Sequence, residues 1–130
     1  MLRISRYIAT FFALCLAVGE TALNWGHWQF WPLWVVDYAI VVWLLVAVWL
    51  ARRPSAGHHL ATAWAFAAGV FYIALFGGLD DLRRTSQPIS ESAVLLSLIG
   101  SMLVLSLIGL GCSIIASWKT PEKERQMDVG

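Results

Sequence analysis

The segment SAVLLSLIGSMLVLSLIGLGCSIIASW, residues 92–118, decides the fold class. It carries no charged side chain over 27 residues. A helix rising 1.5 Å per residue needs about 20 apolar residues to cross roughly 30 Å of hydrocarbon. Inside a bilayer each backbone N–H and C=O must find its partner within the protein, so a run of this length is read as a helix.

Three further apolar runs precede it, at about residues 5–24, 33–51 and 59–79, with Arg6, Glu20 and Asp37 as their only charged residues. The whole chain of 130 residues is 59% hydrophobic and only 13% charged, with a mean hydropathy of +0.70. A soluble domain runs nearer one quarter charged, and one of this size has too little interior to hide so much apolar surface. The expected fold is therefore all-α: a single antiparallel four-helix transmembrane bundle with short loops. Residues 119–130 form a short, mixed-charge tail.

The basic residues orient this arrangement. With the N-terminus inside, Arg3, Arg6, Arg52, Arg53, Lys119, Lys123 and Arg125 fall on the cytoplasmic side. Only Arg83 and Arg84 fall outside. This is the bias of the positive-inside rule. Four spans return the C-terminus to the cytoplasm, giving an N-in/C-in protein of the inner, or plasma, membrane. Arg3 and Arg6 ahead of an apolar run resemble the start of a signal peptide. That run ends in Glu20, Asn24 and bulky aromatics, without a small-x-small cleavage site, so it reads as a retained first span.

Small residues set the packing expectations. In lipid no hydrophobic force drives helices together, so small side chains that allow close backbone approach mark helix contacts. Ala61, Ala65 and Gly69 share one face of the third helix, and Phe76-Gly77-Gly78 reads as its end. In the fourth helix Ala93, Ser97 and Ser101 are spaced by four, and Gly109, Ser113 and Ser117 repeat the spacing. These faces pack either within the bundle or across a subunit boundary. Cys15 and Cys112 lie inside apolar runs without a Cys-x-x-Cys pairing, which reads as inert packing rather than a disulfide.

The chemistry concentrates between Gly19 and Tyr38. Glu20, Asn24 and His27 are spaced i, i+4, i+7, and Asp37 enters the next helix from the same side. Ionisable groups at membrane depth are costly and point to function. The four residues form a candidate polar or ion-binding cluster suited to a proton or a cation. The alternative is that both acids sit near helix ends and reach the headgroups, Asp37 complementing a helix dipole. Trp25, Trp28, Trp31 and Trp34 recur every third residue. Such a stripe is an interfacial aromatic belt or, less commonly, a contact surface for a cation or amphipathic ligand.

Several classes find no support. Net charge is +1 and no basic patch invites nucleic acid. No metal motif of sharp spacing is present, and no serine has a histidine at matching depth, so no metal, cofactor or catalytic residue is assigned. No motif ties the chain to a named family. Three functions stay open: a non-enzymatic accessory or interaction protein that self-associates or joins a larger membrane complex, a small proton- or cation-coupled transporter using Glu20 and Asp37, and a lipid- or quinone-binding membrane enzyme. The lipid bilayer is the partner common to all three.

Overall fold

The computed structural model describes residues 2–24, 31–52, 57–84 and 89–118. Among them there are four helices and no strand: α1 (Leu2–Asn24), α2 (Trp31–Leu50), α3 (Gly57–Arg84) and α4 (Ile89–Trp118). Three stretches, Leu2–Ala22, Gly57–Arg84 and Ala93–Trp118, are long and apolar enough to cross a membrane, and Trp34–Leu50 is a shorter apolar stretch. Pro32 occupies the first turn of α2, where its missing N–H leaves no bond unmade.

Each helix buries one face. In α1 that face is Ser5, Ala9, Phe12, Ala13 and Leu16, at i, i+4, i+7, i+8 and i+11. Ile40, Val41, Leu44, Ala47 and Ala51 answer from α2 and its end, and Leu60, Ala63, Trp64, Ala67 and Phe71 from α3. Phe12 ties the centre together. Its ring meets Trp64 edge-on at 5.2 Å and Phe71 edge-on at 5.7 Å, a geometry that aromatic quadrupoles favour. The opposite faces carry Ile4, Phe11, Val18, Val42, Trp43, Tyr72 and Ile73, all exposed.

The contacts fix the relative directions. Gly78, Gly100 and Gly109 sit against Leu96, Leu75 and Trp64 respectively, so α3 and α4 run antiparallel. Ser5 and Phe12 both meet Trp64 and Phe12 also meets Phe71, so α1 and α3 run parallel. Thr21, near the end of α1, bonds Tyr38, near the start of α2. The start of α3 at Gly57 touches Leu2. Direction thus alternates from helix to helix, with α1 and α3 each packed against both α2 and α4.

The bounds differ from the sequence reading in one informative place. Gly77-Gly78 does not end the third helix, which continues to Arg84. Glycine weakens a helix by about 1 kcal/mol against alanine, but tertiary packing overrides that cost here. A Cβ on Gly78 would come within 2.7 Å of Leu96 Cδ2, so the glycine is what lets α4 approach. Asp80 and Arg84 then form an i, i+4 ion pair at 2.9 Å in the last turns, and Arg83 and Arg84 face the negative end of the helix dipole.

Candidate functional site

Two regions hold the residues that the sequence singled out. The first is where α1 ends and α2 begins. Thr21 donates to the carbonyl of Ala17 at 2.7 Å, and its Oγ1 lies 2.8 Å from the hydroxyl of Tyr38. Tyr38 is braced in turn by Trp34, edge-on at 5.0 Å. This clasp holds together the positions that follow Glu20 and Asp37. Both acids are half-buried, and they lie close enough for each carboxylate to feel the other's charge. The neighbours that meet directly are Thr21 and Tyr38, each one residue after an acid of the cluster. The side chain of Asn24, the whole of His27, Trp25 and Trp28, and the side chain of Trp31 lie outside the described residues. Trp34 is described, and is exposed. Among the described residues no group of three or more His, Cys, Asp and Glu converges as a metal site.

Two carboxylates on neighbouring helices, at the edge of an apolar region, make a local concentration of negative charge. Their mutual repulsion is relieved by a proton or a cation between them. That is the chemistry the pair offers.

The second region is α4, whose small residues divide into two sets. Gly109 and Ser113 are buried inside the chain. Ser5 Oγ lies 2.7 Å from Ser113 Oγ and 3.3 Å from the carbonyl oxygen of Gly109. Ser113 donates to the same carbonyl at 2.9 Å. Trp64 donates its indole N–H to Ser5 Oγ at 3.2 Å. One polar node thus joins α1, α3 and α4. Every polar group in it is partnered, as burial requires. Gly109 supplies the space: a Cβ there would overlap the six-membered side of the Trp64 indole.

Ala93, Ser97 and Ser101 point the other way. With Val94 and Leu98 they line a shallow open groove on the outer surface. Ser101 donates to the carbonyl of Ser97 at 2.8 Å, the back-bonding that lets a hydroxyl sit in an apolar setting. The expected face of α3 also points outward. Ala65 and Gly69 are exposed and Ala61 is half-buried, while Ala63, Ala67 and Ala68, which the spacing did not single out, fill the interior. Cys15 and Cys112 are free thiols, both half-buried.

Sequence reasoning missed Ser5 and Trp64. The available signal was the single hydroxyl in register with Ala9, Phe12 and Leu16. Trp64 also stood out as a tryptophan in mid-helix, away from the positions where interfacial tryptophans gather.

No protein-family model matches the chain, and no curated protein or solved structure matches it.

Proposed function

We propose that the chain is a four-span inner-membrane protein, an antiparallel bundle with both termini in the cytoplasm. In this reading it acts as a non-enzymatic interaction subunit, self-associating or joining a larger membrane complex. The observation that carries the reading is the division of α4. Its Gly109–Ser113 half is consumed by packing within the chain, while Ala93, Ser97 and Ser101 offer a similar small-residue face outward. Such a face suits close approach of another helix. Orientation rests on charge: Arg3, Arg6 and Arg52 sit at one end, and Arg83 and Arg84 at the other.

Leucine at both Ser97 and Ser101 tests it. The assembled species in mild detergent should shrink while the monomer fold stays intact. An unchanged assembly size would remove the support. Gly109 cannot serve in this test, because a side chain there would overlap Trp64 and disturb the fold itself.

A second reading is supported by the Glu20–Asp37 pair: a path for protons or cations through the outer end of α1 and α2. It requires that Glu20→Gln and Asp37→Asn each abolish flux in proteoliposomes. Wild-type flux in either variant would dismiss it.

A further inference from the structure

The end of the molecule opposite the acids of the described residues carries a guanidinium nitrogen that those residues leave without a hydrogen-bond partner. Arg6 lies in the second turn of α1 and is half-buried. Its Nε is shielded from solvent and has no hydrogen-bond acceptor. The hydroxyls nearest it on α1 are already used: Thr10 donates to the backbone carbonyl of Arg6 at 3.0 Å, and Ser5 belongs to the buried node. A shielded, unsatisfied cationic donor is expensive.

No acid among the described residues can answer it. Glu20 and Asp37 lie where α1 ends and α2 begins, and Asp80 and Asp81 lie at the end of α3. Glu91 belongs to the first turn of α4. All five are at the far end. Among the described residues the charge around Arg6 is of one sign, from Arg3, three residues before it, and from Arg52 just beyond the end of α2. The same end is ringed by exposed aromatics: Tyr7 and Trp118 are each 78% exposed and Trp49 is 62% exposed. Exposed tyrosine and tryptophan of this kind mark the headgroup level. At that level the abundant anion is the lipid phosphate.

We propose that Arg6 seats the headgroup phosphate of an anionic phospholipid of the cytoplasmic leaflet, with Arg3 and Arg52 adding long-range attraction. The inference rests on the membrane-spanning reading above. Arg6 is the centre because its Nε is packed in protein, so the guanidinium is held in place. Guanidinium also matches two phosphate oxygens with a planar fork. Basic sites beside helices on the cytoplasmic side suit anionic headgroups in this way.

Native mass spectrometry of the full chain, released from mixed micelles of phosphatidylglycerol and phosphatidylcholine, tests it. The wild type should retain phosphatidylglycerol about tenfold over phosphatidylcholine, because both offer a phosphate to Arg6 but only phosphatidylcholine brings a quaternary ammonium against the charges of Arg3 and Arg52. Arg6→Gln should lose the preference, and Arg6→Lys should keep only part of it, because the charge survives but the two-oxygen fork does not. Arg84→Gln, at the other end and paired with Asp80, should match the wild type.

Two results would overturn the proposal: undiminished preference in Arg6→Gln, or equal loss in Arg84→Gln. Displacement of the lipid by millimolar inorganic phosphate would reassign the site to a free anion. Recovery of Glu122→Gln/Glu124→Gln with more bound phosphatidylglycerol than the wild type would make the tail acids the partner instead. Failure of the chain to partition into membranes at all would strike the membrane reading rather than this site.

Discussion

Trp64 covers Gly109 so closely that no side chain fits between them, and its indole N–H reaches past α4 to Ser5 on α1. One tryptophan therefore sets both the spacing of α3 and α4 and the polar link to α1.

Substitution at Gly109 should be the most disruptive small change in the chain. Gly109→Ala forces the indole aside, an overpacking cost of about 1–3 kcal/mol. Gly69→Ala is the control: nothing lies within 4 Å of the added methyl, and helix propensity favours alanine by up to about 1 kcal/mol. Unfolding titrations in a mixed-micelle denaturant should lower the midpoint for the first variant and leave the second equal or higher.

The node predicts an order among its hydroxyls. Ser5→Ala strands the Trp64 N–H and costs about 1–2 kcal/mol. Ser113→Ala costs less, because Ser5 keeps Trp64 as donor and the Gly109 carbonyl as acceptor. In the double variant the two costs should sum to less than additive, as for residues sharing a network. Equal single effects with strict additivity would mean that the node is not cooperative.

At the other end, Thr21→Val removes the partner of the Tyr38 hydroxyl. Hydrogen bonds between helices within a membrane protein average about 0.6 kcal/mol and reach about 1.7. The stability loss should fall in that range. Hydrogen exchange should rise at the end of α1 and the start of α2, with the Trp64 region unaffected.

The exposed ion pair of Asp80 and Arg84 should matter little. Its side chains are 56% and 76% exposed, and such i, i+4 pairs contribute about 0.3–0.5 kcal/mol. Asp80→Ala should leave the unfolding midpoint within error of the wild type at 0.15 M salt.

The helices were legible because long apolar runs with few or no charges admit few other structures. The contact between Gly109 and Ser113 and a neighbouring helix was legible from their spacing in α4. Which small faces turn inward was not. Ala61, Ala65 and Gly69 have the same periodicity as a buried face, yet Ala63, Ala67 and Ala68 are the ones inside. In an apolar helix both sides read alike, since lipid and core accept the same residues. Gly77-Gly78 misled for a related reason: local propensity marks a stop, whereas the approach of Leu96 to Gly78 makes the glycine part of a contact. Trp64 was obscured by the interfacial habit of tryptophan. Of the polar cluster, the short connection places the end of α1 beside the start of α2, where Thr21 meets Tyr38.

α4 turns one small-residue face inward and, in the proposed function, offers the other to a protein neighbour. Site-specific photocrosslinking in native membranes tests it directly. A benzophenone side chain at residue 97 or 101 should give a discrete protein adduct, either a dimer of this chain or a single larger partner, and one at the exposed position 94 on the same groove should do so too. A probe at residue 73, on the exposed face of α3, should give none. Lipid adducts alone at 97 and 101, the same as at 73, would contradict the account.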